Sequence, residues 1–475
     1  MKFNSFIFLP FFAAVVIVYY LIPRRDWQRT ILICASLFFL SQANLLSLVI
    51  ILMSAVLNYF LGIGIEVNKD RRLGGILFWV AILANVVNLF FFKYYSFFLQ
   101  NLNVFTRSMN IKSLLPEIDL ILPLGISFYT FQALGYVIDV RRENIPPERS
   151  FWSFLNYILF FPKLLAGPIE RAQNFLSQET VEKTIRVADF SEGTKLLIWG
   201  FFQKLVIADR IAIYVNSIYK HVDRHSGITL LICSIFYFYQ VYADFSGYTD
   251  IARGLARIFG YDLMLNFRRP LLASSLSDFW RRWHISLSSW VNDYIYMPLS
   301  LKFRSWGTLG VTLALFISFI VVGIWHGARW TFVIFGVMQG IYLLAELLAS
   351  RQMKTHAAKP LAWFFHLSST LITFAFVTVS LVFFRSPSLE TAWNVLGNIG
   401  LDGKLFITPA SYFLYSLFGI LVLLVHDLAG EFLHKSIFRI RSRWFLVRCM
   451  PYALLVVAIL AIGVFDGGQF IYFNF

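Results

Sequence analysis

What most constrains this chain is a succession of apolar runs that no polar block of soluble-domain size interrupts. The runs are 6–22, 30–42 with 45–65, 74–99, 117–138, 196–218, 228–247, 308–325, 329–349, 361–384, 411–427 and 449–465. A bilayer core of about 30 Å takes roughly 20 apolar residues per helix, and most of these runs meet that length. Lipid offers a backbone no hydrogen-bond partners, so such runs must fold as helices. Apolar side chains make up 58% of the 475 residues and charged ones 14%, with mean hydropathy +0.68. That balance excludes a soluble globular protein and predicts an all-α polytopic membrane protein, read as a single membrane domain over 1–475.

The net charge of +15 raises the question of nucleic acid, and the distribution of the basic residues answers it. Lys and Arg gather in short connections at 24–29, 66–72, 141–149, 170–195, 251–270, 351–360 and 434–448, and are few in 100–116, 219–227 and 385–409. This is the signature of cytoplasmic loops held near anionic lipid, and it predicts that both termini are extracytoplasmic. No nucleic-acid partner is expected.

Three stretches depart from simple crossings. Run 30–42 is short. Residues 151–169 contain Pro162, Lys163, Gly167 and Pro168, which predict a re-entrant or bent element. Residues 274–305 mix Trp280, Trp283, Trp290 and Tyr294 with Asp278, Arg281, Arg282, Asp293 and Lys302, as interfacial amphipathic helices do. Met1 to Ile22 lacks a small-residue cleavage site and reads as a retained helix. Cys34, Cys233 and Cys449 lack metal or disulfide spacing and read as packing residues. His221 and His225 stand at i, i+4 without a third ligand, so a solvated loop is expected there and no metal site.

The chemistry concentrates in two histidines, His284 within Asp278-Phe279-Trp280-Arg281-Arg282-Trp283-His284-Ile285-Ser286-Leu287 and His326 within Trp325-His326-Gly327. An ionisable side chain at membrane depth costs roughly 2.5–3.5 kcal/mol or more, so it marks a functional site by default. Imidazole also titrates near neutral pH, as a general base toward a hydroxyl must. The structural alternative is a pair of satisfied histidines capping helices.

These strings, with their neighbours, resemble the membrane-bound O-acyltransferase (MBOAT) superfamily, in its bacterial alginate O-acetylation (AlgI-like) branch. The resemblance rests on Ile121-Leu122-Pro123-Leu124-Gly125-Ile126-Ser127-Phe128-Tyr129-Thr130-Phe131-Gln132, Ala166-Gly167-Pro168-Ile169 and Tyr242-Ala243-Asp244-Phe245-Ser246-Gly247-Tyr248-Thr249-Asp250. The Asp278–Leu287 string, Gly323-Ile324-Trp325-His326-Gly327-Ala328 and the closing Phe470-Ile471-Tyr472-Phe473-Asn474-Phe475 follow in order. It is densest over about 120–350, with further membrane spans over 361–475.

The resemblance implies a ring of about 11 tilted transmembrane helices, with re-entrant and interfacial helices, around a central tunnel. It implies transfer of an acetyl group from cytoplasmic acetyl-CoA, a co-substrate rather than a resident cofactor, for O-acetylation of an extracytoplasmic polysaccharide such as alginate or cellulose, or of peptidoglycan. A separate periplasmic acetyltransferase or esterase-like partner and the bacterial inner membrane belong to the same expectation. His326 maps onto the family's catalytic histidine and His284 onto a second polar position.

Trp325, Trp283, Arg281, Arg282, Asp244 and Tyr129 are the further residues expected at the substrate or donor. For Arg281 and Arg282 the alternative is ordinary positive-inside topology. For Asp244 it is a carboxylate paired with Arg253 or Arg257 or capping a helix, and for Asp278 it is helix N-capping. Two other functions stay open at this point. One is D-alanyl transfer to teichoic acid from a carrier-protein thioester, because Gly167-Pro168-Ile169-Glu170-Arg171 resembles an element of that branch. The other is a non-enzymatic transporter.

Overall fold

The structure is a computed structural model that describes every residue except 1, 2, 4, 6, 43, 111–117, 119, 353–361, 408, 435, 439, 441, 466–469 and 472–475. Of the closing hexapeptide, therefore, only Phe470 and Ile471 are described. The described residues form helices joined by turns, with one isolated bridge between Gly227 and Ile399 and no strands.

Among the described residues, eight helices are long and apolar enough to cross a membrane: Leu45–Val67, Arg72–Ser108, Ile228–Ile258, Thr308–His326, Trp330–Ala349, Trp363–Arg385, Ala410–Phe432 and Phe445–Ile462. The other expected runs fall outside that set. Phe8–Leu21 has 14 residues and Arg25–Ser41 has 17. In 117–138 the helix starts only at Ile126, because Pro123 and left-handed Gly125 (φ 72°) set the turn before it. Run 196–218 lies within continuous helix over 187–219 and carries a π-helical turn at Phe202–Ala208, where Gln203 and Lys204 interrupt the apolar pattern.

The chain packs as two compact units. The first comprises Met1–Thr194 and Ala252–Met264, the second Lys195–Ile251 and Leu265–Phe475. In the first, helices Leu45–Val67, Arg72–Leu89 and Ile126–Arg141 pack together, and the expected bend in 151–169 falls at Phe160 between Phe151–Leu159 and Phe161–Leu164. Lys163 is fully buried there. Its ammonium donates to Gln132 Oε1 and to the Tyr157 carbonyl at 2.5 Å, and lies 4.5 Å from the Tyr157 ring centroid. Lys93, in the π turn Phe90–Tyr94, donates to Ser127 Oγ at 3.2 Å.

The second unit is organised by the helical hairpin Thr308–His326 and Trp330–Gln352. Small residues let the two backbones meet, the usual device where lipid removes any hydrophobic drive for helices to associate. A Cβ on Gly323 would lie 2.3 Å from the Phe332 carbonyl oxygen, and one on Gly336 would lie 2.3 Å from that of Phe319. Backbone carbonyls cannot rotate aside, so any side chain here pushes the helices apart. Gly336→Ala is expected to destabilise by about 1–3 kcal/mol, as overpacking does, and to lower the unfolding midpoint in detergent. Gly75→Ala, at a helical site with open space around it, is the control expected to hold or raise the midpoint. Equal midpoints for both variants would refute the close crossing.

Candidate active site

The site grows from a short helix, Leu276–Arg282, whose exposed N–H groups are all provided for. Ser275 is the N-cap, its hydroxyl accepting from Asp278 N–H at 3.1 Å, and Glu346 accepts from the N–H groups of Leu276 (2.7 Å) and Ser277 (3.2 Å). The capping role expected of Asp278 thus falls to Ser275. Asp278 instead pairs with Arg282 one turn later, at 2.8 Å. Trp280 Nε1–H donates to Gln339 Oε1 (3.1 Å), and Gln339 Nε2–H donates to Ser380 Oγ (2.8 Å), which pins this helix to Trp330–Gln352 and to Ala362–Arg385.

The helix ends at Trp283, and His284 follows in the left-handed region at φ 44°, ψ 51° before Ile285–Val291 begins. A non-glycine residue held there costs roughly 1–3 kcal/mol and persists only when its surroundings over-determine it. Asn266 supplies that determination. Its Oδ1 accepts from Ser286 N–H (3.1 Å) and Ser286 Oγ–H (2.9 Å) and sits 3.2 Å from His284 Nδ1, while its carbonyl accepts from Ile285 N–H (2.9 Å). A backbone N–H can only donate, so the atom it meets is the amide oxygen, and His284 Nδ1 must therefore carry the hydrogen. Nε2 is left with the lone pair. Burial, followed by the neighbouring His326, pushes the His284 pKa well below its ordinary value, so the ring is neutral at physiological pH.

His326 is the last residue of Thr308–His326 and, like His284, is almost wholly shielded (3% and 0% exposed). Gly327 lets the chain turn sharply after it, because a Cβ there would strike the Phe332 ring at 2.3 Å. Trp325 contacts both imidazoles, its ring centroid 5.6 Å from that of His284 and 5.1 Å from that of His326, both nearly edge-on. Phe384 (5.1 Å) and Phe335 (5.9 Å) close over His326, and Phe245 meets His284 edge-on at 4.5 Å. A small apolar cavity reaches His326, with Trp283, Val377, Leu381 and Phe384 on its wall and Gln339 as its polar side.

Four of the expected residues, His284, His326, Trp283 and Trp325, are thus brought together. Arg281, Arg282 and Asp244 do not join this cluster. Arg281 faces outward, while Arg282 is engaged by Asp278 and by Glu431 (2.8 Å), which also holds Arg269 (2.9 Å). Asp244 pairs with Lys204 at 2.6 Å and not with either arginine, because the π turn carries that lysine to it; Arg257 pairs with Asp189 and Asp262. Tyr129 is buried on Ile126–Arg141 in the first unit. Asn266 escaped notice in the sequence because a loop asparagine carries no periodic signal. Lys204 was visible as a lysine inside an apolar run, a residue that calls for an acidic partner.

The fold and site define a polytopic helical membrane protein with two imidazoles held around one indole. The model of the membrane-bound O-acyltransferase family matches residues 142–384, and the chain belongs to that family, so it is a multi-pass membrane acyltransferase. It is 33% identical over 401 residues to the probable alginate O-acetylase AlgI of Azotobacter vinelandii (82% of this chain, 75% of the relative). It is 35% identical over 402 residues to the peptidoglycan O-acetyltransferase of Helicobacter pylori (78% and 74%). Against the teichoic acid D-alanyltransferase of Bacillus subtilis the identity is 26% over 322 residues (65% and 78%).

Asn266→Asp keeps the acceptor for His284 Nδ1 but adds a negative charge that stabilises the protonated ring. The acid limb of the transfer rate is expected to move to higher pH, since a raised imidazole pKa means protonation begins earlier as pH falls. Asn266→Ala, which removes the acceptor, is expected to slow transfer on the order of 10–100-fold. A pH–rate profile that is unchanged in both variants would show that Asn266 does not govern His284.

Proposed function

We propose that this protein is a membrane O-acetyltransferase that passes acetyl from cytoplasmic acetyl-CoA toward hydroxyl groups of an extracytoplasmic polysaccharide, an exopolysaccharide such as alginate or cellulose, or peptidoglycan. The relatives named for O-acetylation support this reading, with higher identity over more of the chain than the D-alanyltransferase. The observation that carries it is the His284–Trp325–His326 cluster, buried among aromatic rings at the end of a membrane helix.

In the proposed reaction, His326 accepts the proton of the acceptor hydroxyl as its oxygen attacks the thioester carbonyl. The tetrahedral intermediate collapses with cleavage of the carbon–sulfur bond, and the thiolate of coenzyme A takes the proton from the imidazolium. Base catalysis of this kind is worth roughly 10²–10⁴-fold. His284, neutral and with its lone pair at Nε2, is the second group, orienting the donor or relaying the proton. The apolar walls keep water from the thioester. Trp283 and Trp325 flank the acetyl group, and outward-facing Arg281 meets the donor's phosphates.

The polysaccharide lies across the membrane, so in this proposal the attacking hydroxyl belongs to a separate extracytoplasmic acetyltransferase or esterase-like protein, which passes the acetyl group on to it. The same proposal places the chain in the bacterial inner membrane with both termini outside, on the distribution of its basic residues.

Labelled acetyl-CoA supplied to membrane vesicles tests the reading. Acetyl incorporation into acceptor is expected to fall at least about 100-fold in His326→Ala, while a D-alanyl carrier-protein thioester is expected to serve neither protein as donor. Undiminished incorporation by His326→Ala would overturn the assignment of the base.

A further inference from the structure

We propose that the buried Lys204–Asp244 pair positions His284 by anchoring the C-terminal residues Phe470 and Ile471 behind Phe245. The inference rests on the reading of His284 as a reactive residue, and it concerns groups to which that reading assigns no role.

The π turn Phe202–Ala208 begins the argument. Such turns interrupt the i→i−4 ladder and free backbone groups for other partners. Here the Leu205 carbonyl accepts the N–H of Val464 at 3.0 Å, so the turn takes hold of the chain just after the helix Phe445–Ile462. Arg210 Nε–H donates to the Ile462 carbonyl at 2.6 Å, on the same side of that junction.

Lys204, in the same turn, donates to Asp209 at 2.9 Å and to Asp244 Oδ1 at 2.6 Å, with side chains only 8%, 7% and 2% exposed. The other oxygen of Asp244 accepts the backbone N–H of Ile471 at 2.8 Å. One carboxylate thus holds Lys204 with one oxygen and, with the other, a residue 227 positions further along the chain than Asp244 itself.

Phe470, 3% exposed, packs 5.3 Å from Phe245 and 4.7 Å from Tyr248. Phe245 is the ring that meets His284 at 4.5 Å, and it also lies 5.1 Å from Phe267, the neighbour of Asn266. The tail therefore backs an aromatic that touches both the imidazole and the loop holding its hydrogen-bond acceptor. Buried ion pairs contribute little net stability compared with apolar replacements, and their best-attested use is to specify one arrangement. Here the arrangement is the placement of a tail that apolar packing alone would hold in several registers.

Two experiments separate this claim from the assignment of function. In the first, the native cysteines are replaced, Ile471→Cys is introduced, and its rate of maleimide labelling is followed in vesicles. Lys204→Met and Asp244→Asn are expected to raise that rate at least about 10-fold, and the readout needs no substrate. Unchanged labelling in both would overturn the anchor whatever the reaction.

The second measures acetyl transfer in the full-length protein. Phe470→Ala is expected to lower kcat about 10–100-fold, the scale of a small misplacement of reacting groups, with KM for acetyl-CoA and the unfolding midpoint held. Phe470→Leu is expected to restore most of the loss. Wild-type kcat in Phe470→Ala, or a loss matched by a fall in midpoint and not rescued by Leu, would overturn the positioning role.

Discussion

Holding an imidazole in apolar surroundings is the constraint on which the second unit depends. Each ring must be desolvated, and a buried polar nitrogen left without an acceptor or donor forfeits on the order of 1–3 kcal/mol. For His284 the protein meets this with a single amide oxygen, Asn266 Oδ1, around which Ser286 and the histidine converge. That convergence explains the left-handed backbone at His284, since no relaxed conformation would bring Ile285 N–H, Ser286 N–H and the ring to the same asparagine. It also sets the tautomer, and with it which nitrogen can accept a proton.

Around this centre, charge pairs hold backbone that is not continuous helix. Arg282 bridges Asp278 and Glu431, Glu431 bridges Arg282 and Arg269, and Arg268 N–H donates to the Arg282 carbonyl at 2.9 Å. The loop carrying Asn266 and the helix carrying Trp280 and Trp283 are thereby tied to Ala410–Phe432. A guanidinium so engaged serves architecture, which distinguishes Arg282 from the outward-facing Arg281 although the two are adjacent in sequence. Irregular backbone near a membrane is tolerated where protein surrounds it, and the two short helices from Leu276 to Val291, with buried residues on each, are that case.

Much of this was legible in the chain itself. Apolar run length located the long spans, because one helix satisfies its own backbone and needs no distant partner. The bend near Pro162 was legible for the same reason, being local chemistry of proline. The two histidines stood out because an imidazole within or beside apolar sequence is costly. What could not be read depends on partners far away in the chain. Asp244 finds Lys204 only because a π turn shifts that lysine's facing, and periodicity analysis assumes an unbroken helix. Asn266 lies 18 residues before the ring it controls, in a loop with no repeating pattern. Run 196–218 gave no sign of its π turn because hydropathy averages over the very residues, Gln203 and Lys204, that interrupt it.

The central claim is that His284 and His326, joined through Trp325, work as one site. A double-mutant cycle on the rate of acetyl transfer tests it most directly, comparing His284→Ala, His326→Ala and the double variant with the unaltered protein. Residues that act as a unit give strongly non-additive losses. The account predicts a double variant about as slow as the slower single one. Losses that multiply, so that each histidine costs the same with or without the other, would contradict it.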